Sequence, residues 1–358
     1  MELKQNLQRN NRIAYFDYLR VFATFAVIML HTAAQGWKEA DVHTFQWQVK
    51  NVYDCIAFWG VPIFVMISGA LFLSREKIDI KRLYSKNISR LAAAYFFWSF
   101  IYAFEGPFVS GSKLLLKSIP VDILISSFHL WFVPMIIGLY ICLPFIHKIT
   151  QSEELIKYFL ILAFVFGFAF PQIKTMSEDL FGGIVSEIIK ALNSIVFNMR
   201  MDMVLGFTFF FILGYVLART DISPKQRKII YALGILGVIM AIVLNIAASF
   251  RNNKPLSTYG GNFTVNAVFI SSAIFVWFKY NIKGTGRLDG IIQKMSKYSF
   301  GTYLVHIAVM EFLDKFGFNS MMFNPVLAIP AVFVSVAVIS FLISAVINKI
   351  PFLNKWIV

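Results

Sequence analysis

The sequence predicts an all-α protein, a polytopic bundle of about ten transmembrane helices with both termini in the cytoplasm. Of its 358 residues, 58% are hydrophobic and only 15% are charged, whereas about a quarter are charged in an ordinary soluble domain. The hydrophobic residues fall in runs of about 20, the length that crosses roughly 30 Å of hydrocarbon. The basic residues gather in alternate short loops between these runs.

Ten apolar runs give the predicted helices in order. The first five cover about residues 15–34, 52–73, 91–104, 128–146 and 155–170. The next five cover about residues 203–218, 229–249, 264–278, 298–316 and 325–347. Pro62 lies inside the second run, and we expect it to bend that helix and leave backbone carbonyls free.

The loop charges assign the two sides of the membrane. An even number of spans places both termini on one side, and that side holds more than twice as many of the 33 Lys and Arg residues as the other. The positive-inside rule makes it the cytoplasm. The same distribution accounts for the net charge of +14, so we expect membrane lipids, and no nucleic acid, as partners. We predict one membrane domain over residues 1–358, with a short basic cytoplasmic tail over residues 1–13.

The longest predicted loop, residues 171–202, lies on the outer side. Apolar residues recur within it at helical spacing from Val185 to Val196, while Glu187 and Lys190 occupy other positions. This pattern predicts an amphipathic helix along the outer interface. Such a helix either stabilises the surface or covers an outward-facing site as a lid.

The first predicted helix carries Arg20 and His31 inside an apolar span. Eleven residues separate them, which places them about 16 Å apart along the axis and within about 20° of one face. Because an ionisable residue in hydrocarbon costs several kcal/mol, two on one stripe indicate a function or a partner. Histidine can act as a general base, and arginine binds phosphate through paired hydrogen bonds. The structural alternative is a buried polar stripe with Asp17, one turn earlier, as the ion partner of Arg20.

Three further histidines lie within or at the end of predicted helices, and His147, at a cytoplasmic helix end, is interpreted as an interfacial residue. His129 opens the fourth helix at the outer face, and His306 lies about eight residues from the cytoplasmic start of the ninth. The sequence has no HExxH pair or other metal-ligand spacing, no GxSxG turn and no phosphate-binding glycine loop, so we predict no metal site. Cys55 and Cys142 lie in apolar runs and are interpreted as small buried hydrophobic residues.

Four blocks of sequence together resemble the acyltransferase 3 family of integral membrane acyltransferases over nearly the whole chain. Asp17, Leu19, Arg20 and, after ten residues, His31 are similar to the family's first-helix signature. The segments 61–69 (with Ser68), 128–132 (with His129 and Trp131) and 299–306 (with Tyr303 and His306) resemble its later blocks. The segment 261–263, which contains Asn262, resembles the corresponding segment in the branch of the family that contains the O-acetyltransferase for enterobacterial common antigen.

One position departs from the family's pattern. The family often has two arginines three residues apart at the start of the third helix. Here Arg90 matches the second, but Asn87 stands at the first. We therefore carry the expected substrate contact over to Arg90 alone.

The resemblance implies transfer of an acyl group, most often acetyl, from a cytoplasmic donor such as acetyl-CoA to a hydroxyl of an envelope glycan or lipid-linked saccharide. It implies the bacterial cytoplasmic membrane and no permanently bound cofactor. His31 and Arg20 would be catalytic, with His31 either deprotonating the acceptor hydroxyl or holding the acyl group briefly. The expected substrate-binding residues are Asp17, Ser68, Arg90, His129, Trp131, Asn262, Tyr303 and His306. We expect His129 and Trp131 to line the outer pocket, and Tyr303 and His306 to line the inner path.

Two other functions fit the same residues. A non-enzymatic exporter or flippase of a polysaccharide or lipid-linked precursor also uses buried ionisable residues and a bent helix. Against it, the sequence shows no two-fold internal repeat and no paired broken helices. A sensor or interaction module is the third alternative. It ranks last because the sequence shows no soluble partner domain to which such a module would be joined.

Overall fold

A computed structural model describes residues 12–110, 119–199 and 206–357, and every regular element within them is helical. The helices of the first half are α1 (Ala14–Ala34), α2 (Phe45–Ala57), α3 (Gly60–Leu73), α4 (Ile80–Arg82), α5 (Ser89–Ser110), α6 (Ile119–Ile125), α7 (Phe132–Ile141), α8 (Leu143–Ile149), α9 (Glu153–Phe164) and α10 (Phe170–Met176). Those of the second half are α11 (Gly183–Asn198), α12 (Phe207–Arg219), α13 (Pro224–Asn252), α14 (Val265–Asn281), α15 (Asp289–Lys315), α16 (Pro325–Ile347) and α17 (Pro351–Trp356). Short 3₁₀ turns cover Phe128–Trp131 and Thr258–Gly260, and π-helical turns cover Leu83–Ile88, Val165–Ala169 and Ser177–Phe181.

The predicted all-α membrane fold is confirmed. Six helical segments of the described chain are long and apolar enough to cross a membrane, and a seventh is added if two helices bent by 52° form one span. The six are Ala14–Ala34, Phe45–Leu73, Glu153–Phe181, Pro224–Asn252, Thr258–Asn281 and Pro325–Ile347, and the bent pair is Ile119–Ile125 with Phe128–Ile141. The total of ten spans and the cytoplasmic side of the termini stay predictions.

Several predicted boundaries agree with the structure, and others move. α1 and α16 lie within one residue of their predicted limits, whereas the second predicted helix begins seven residues earlier and consists of α2 and α3. The irregularity expected at Pro62 appears as the break between them, and Pro62 occupies the first turn of α3, where its missing N–H breaks no helical hydrogen bond. Most of the predicted tail, residues 1–11, and the start of the sixth predicted helix, residues 203–205, lie outside the described residues.

The predicted outer loop is partly helix. α9 continues through two π-helical turns and α10 to Phe181, so the prediction of a loop from residue 171 is wrong for its first eleven residues. Charged Lys174, Glu178 and Asp179 ended the apolar run in the sequence, but the backbone hydrogen bonds continue past them. Beyond a turn at Gly182, α11 confirms the amphipathic helix, and its apolar residues, including Ile188 and Ile195, are exposed as expected at an interface.

The bundle is arranged around α1. It packs against α2, α3, α14, α15 and α16, and its residues Phe16, Leu19 and Ala23 are buried in the core. α3 and α12 approach so closely at Gly69 and Gly214 that a Cβ atom on either glycine would collide with the backbone of the other helix. α1 and α15 run side by side in the same direction, and this pairing positions the candidate site.

Candidate active site

Three histidines from distant parts of the chain meet in one cluster. His31 of α1 and His306 of α15 lie with Nδ1 and Nε2 2.8 Å apart, and their rings stack at 19°. The ring of His129, from the turn before α7, lies 5.4 Å from the ring of His306 and nearly perpendicular to it. His129 and His306 are buried, whereas His31 is partly exposed. The structure therefore joins three residues that the sequence analysis singled out separately.

The hydrogen bonds of His306 determine where the protons lie. Its Nδ1 is 2.6 Å from the backbone carbonyl oxygen of Tyr303, and a carbonyl can only accept, so Nδ1 carries the hydrogen. In the neutral imidazole, Nε2 is then an acceptor, and it takes its hydrogen bond from Nδ1 of His31. His31 is left with an unshared lone pair on Nε2. The cluster thus presents one basic and nucleophilic nitrogen, on the partly exposed ring.

His129 is fixed by its own set of contacts. The Tyr303 hydroxyl donates to the backbone carbonyl of His129 at 2.5 Å, and Ser127 Oγ lies 2.9 Å from His129 Nδ1. The Tyr102 ring packs 4.8 Å from the His129 ring, and its hydroxyl donates to the carbonyl of Leu304. His129 Nε2 finds no hydrogen-bond partner among the described residues. It is therefore a buried polar atom whose hydrogen-bonding capacity no described residue uses.

The predicted depth of His306, about eight residues from the start of its helix, is wrong. α15 begins at Asp289, nine residues before its predicted start, so His306 lies about 26 Å along the helix. That depth brings it level with His31. Lys294 and Lys297, in the second and third turns, concealed the beginning of the helix because they interrupt its hydrophobicity.

Asp17 holds Arg20 at the opposite end of the stripe. Its carboxylate is 2% exposed and lies 3.3 Å from Arg20 Nη1 and 2.5 Å from Arg12 Nε, and it accepts from Ser296 Oγ at 2.7 Å. The hydrogen bond with Asp17 raises the pKa of Arg12 above its ordinary value. The structural alternative, Asp17 as the ion partner of Arg20, is present in the structure. The expected substrate contact of Asp17 stays a prediction, although its oxygens are occupied by protein donors.

A cavity of about 500 Å³ extends from Arg20 to Tyr303, whose ring lies 5.9 Å from the rings of His129 and His306. Arg20, Lys86 and Arg90 make its lining cationic at the end near Asp17, and Phe132 and Tyr303 line it next to the histidines. Between them the wall is mostly apolar, with polar contributions from residues that include Ser68 and Tyr140. Asn87, the position that departs from the family's pattern, faces the same cavity. Four predicted residues, Arg20, Ser68, Arg90 and Tyr303, therefore share one space.

Trp131 and Asn262 lie away from this cavity. The Trp131 ring is 5.6 Å from the ring of Phe207, which in turn lies 4.7 Å from Phe263, the neighbour of Asn262. A row of aromatic rings therefore connects the 3₁₀ turn that contains His129 to the loop before α14. Trp131 is 42% exposed, so its ring is accessible from outside the bundle.

Sequence reasoning missed the residues that fix the site. Ser127, Ser296 and Arg12 make the hydrogen bonds that hold His129 and Asp17, and the Tyr102 ring packs against the His129 ring. The two-residue spacing of Ser127 and His129 in a turn is a local signal that could have found that pair. Nothing local identifies Tyr102 among the aromatic residues of α5. Across the described residues, no group of His, Cys, Asp or Glu is arranged to hold a metal ion.

Comparison with known proteins gives one match. A family model described as an acyltransferase domain matches residues 13–345, a range that contains all three histidines, Arg20 and the cavity lining. No curated protein and no solved structure matches the chain. Because the family model covers nearly the whole chain, it assigns a membrane acyltransferase activity to this helical bundle. The chain belongs to the acyltransferase 3 family.

Proposed function

We propose that the protein is an O-acetyltransferase that moves an acetyl group from acetyl-CoA on the cytoplasmic side to a hydroxyl of an envelope glycan or lipid-linked saccharide. The observation that carries the proposal is the hydrogen-bonded chain from the Tyr303 carbonyl through His306 to His31, next to a cavity with a cationic end. In this arrangement His31 Nε2 would be the base, and the thioester of the donor would reach it from the end of the cavity at Tyr303. The family's activity is consistent with it.

The 500 Å³ cavity lined by Arg20 and Tyr303, here called the donor cavity, suits a long donor with phosphates at one end and a thioester at the other. Arg20, Lys86 and Arg90 would bind the phosphates, since guanidinium groups match phosphate oxygens through paired hydrogen bonds. The apolar wall would hold the extended arm, and the acyl end would reach Tyr303. Arg20 and His31 are about 16 Å apart along α1, so the donor must be extended to connect them.

His31 Nε2 can act in either of two ways. As a general base, it takes the proton of the acceptor hydroxyl, the oxygen attacks the thioester carbonyl, and the carbon–sulfur bond breaks. As a nucleophile, it attacks the carbonyl itself, the thiolate leaves, and the acyl-imidazole then passes its acyl group to the hydroxyl. In both routes the hydroxyl proton ends on the CoA sulfur. Incubation with labelled acetyl-CoA and no acceptor separates them, since only the second labels the protein at His31.

His306 would orient His31 in both routes. Its Nε2 accepts the Nδ1 hydrogen of His31, which keeps the lone pair of His31 on Nε2 and supports the positive charge that develops on the ring. The partner of His306, the Tyr303 carbonyl, fixes the orientation of His306 in turn. His129 Nε2 and Trp131 would contact the acceptor, and Ser68 the donor arm. Asn262, joined to Trp131 through the aromatic row, would extend the acceptor side.

The test is incorporation of labelled acetyl from acetyl-CoA into envelope glycan by membranes that contain the protein. We expect His31→Ala and Arg20→Ala to abolish it. His43→Ala is the matched control, because His43 lies in an outer loop where its ring contacts Asn253 and Phe250. Full incorporation by His31→Ala would overturn the mechanism. Movement of unacetylated saccharide across vesicles without consumption of acetyl-CoA would instead favour the exporter.

A further inference from the structure

A second cavity, of about 730 Å³, lies at the same end of the bundle as Asp17. It is bounded by the start of α1, the ends of α12 and α14, and residues that precede or begin α15. None of its lining residues contributes to the donor cavity described above. Its lining includes four cations and a single acid: Arg12, Arg219, Lys279 and Lys283 with Asp221.

Part of this positive charge is already used within the protein. Arg219 pairs with Glu153, Lys279 donates to the carbonyls of Leu217 and Thr220, and Asp221 accepts from the Tyr280 hydroxyl. These contacts tie the helix ends together. The Tyr280 hydroxyl is a neutral donor and leaves the charge of Asp221 in place, so the four cations of the lining still outnumber its one acid.

Two groups are left to meet a ligand. Lys283 is exposed, and its ammonium makes no hydrogen bond or ion pair with a described residue. The Arg12 side chain is 52% exposed, and although Nε and Nη2 contact Asp17 and the Gln293 carbonyl, Nη1 has no hydrogen-bond partner in the described part of the chain. A guanidinium held by Asp17 and an exposed ammonium around a concave space can together bind phosphate groups.

We propose that this cavity binds a ligand with two phosphates, either a soluble diphosphate or the headgroup of a two-phosphate lipid. A convex surface with the same residues would be an ordinary positive-inside anchor, but here the cations surround a space large enough for such a group. Basic pockets between helix ends at the cytoplasmic interface are known to recognise anionic lipid headgroups.

Asp17 connects this second cavity to the donor cavity. Its Oδ1 accepts from both Arg12 Nη2 (3.0 Å) and Arg20 Nη1 (3.3 Å), and Arg12 lines one cavity while Arg20 lines the other. An anion that attracts Arg12 leaves Asp17 to pair more strongly with Arg20. Arg20 then binds donor phosphate less well, so occupation of the second cavity lowers affinity for the donor. By linkage, the donor lowers affinity for the anion by the same factor. This coupling, unlike the binding itself, rests on the proposed function.

The binding test uses purified full-length protein and two probes, inorganic pyrophosphate by calorimetry and tetraoleoyl cardiolipin by native mass spectrometry. We expect Lys283→Glu to weaken probe binding by about tenfold. Lys225→Glu, which reverses an exposed charge at the start of α13, and Lys86→Glu, which alters the donor cavity, should both retain it. Binding of pyrophosphate alone supports a soluble ligand, and binding of cardiolipin alone a lipid. Binding of neither probe, or equal losses in the Lys283 and Lys225 variants, overturns the site.

The coupling test adds acetyl-CoA. The probe that binds should lower acetyl-CoA affinity by about fivefold in the wild type and have no effect in Lys283→Glu. An effect that persists in Lys283→Glu would come from competition inside the donor cavity and would overturn the coupling. If acetyl-CoA itself does not bind while the probe does, the proposed donor is wrong and the second site stands.

Discussion

His31 and His306, 275 residues apart in the chain, share a hydrogen bond of 2.8 Å between Nδ1 and Nε2. Because His306 Nδ1 donates to the Tyr303 carbonyl, this bond leaves the basic nitrogen of His31 as Nε2. The pair therefore behaves as one unit, in which the buried ring orients the partly exposed one.

Removal of His306 should slow acyl transfer without preventing donor binding. We expect His306→Ala to lower kcat by about a hundredfold, because His31 loses the partner that fixes its tautomer, while KM for acetyl-CoA stays within about twofold. His31→Ala should leave no measurable activity. His43→Ala serves as the control in the same steady-state assay. A large rise in KM with unchanged kcat would contradict an orienting role for His306.

The neutral amide at position 87 offers a gain-of-function test of the donor cavity. Asn87→Arg restores the pair of arginines common in the family and places a second guanidinium beside Arg90. We expect KM for acetyl-CoA to fall by about fivefold, the effect of one added charge-assisted hydrogen bond. Ser85→Arg adds the same charge at an exposed position outside the cavity lining. If both variants lower KM equally, general surface charge explains the effect and the cavity does not hold the phosphates.

The buried carboxylate of Asp17 should contribute strongly to stability. Asp17→Asn removes the charge from a 2%-exposed carboxylate that contacts two arginines, so we expect a loss of about 3 kcal/mol in unfolding free energy. Thermal unfolding of the purified protein in detergent measures this as a lower Tm. Glu187→Gln is the matched control, because Glu187 pairs with Lys190 on the exposed surface of α11. Equal Tm values for wild type and Asp17→Asn would refute the structural role.

The contact between α3 and α12 depends on two glycines. Gly69→Ala places a methyl group against the Phe211 backbone, which cannot move aside as a side chain would. We expect a destabilisation of about 1–3 kcal/mol, seen as a lower Tm. In Gly138→Ala the added methyl group meets no atom within 4 Å, and the variant should be as stable as the wild type or slightly more so. Similar Tm values for both variants would show that the helices can separate at little cost.

The sequence predicted the helices well wherever an apolar run is uninterrupted. α16 begins and ends at the predicted residues, and α1 within one residue. It failed where charges lie inside a helix, at the start of α15 and in the segment after residue 170. Hydropathy averages the polarity of the side chains in a stretch of sequence, so a few charged residues make a helix look as if it has ended. The helix itself continues as long as its backbone hydrogen bonds are made. The Arg20–Asp17 pair was also within reach of the sequence, because residues three apart share a helix face.

The sequence by itself determined that this chain is a membrane-embedded helical bundle, with Arg20 and His31 on one stripe and the family's blocks in order. Those properties depend on local hydrophobicity and on fixed helical geometry. Only the tertiary structure decided that His306 is the partner of His31, that Tyr303 lies between the histidines and the cavity lined by Arg20, and that Asp17 contacts both Arg12 and Arg20. Such contacts depend on how helices far apart in the chain pack against one another, and no local pattern encodes that packing.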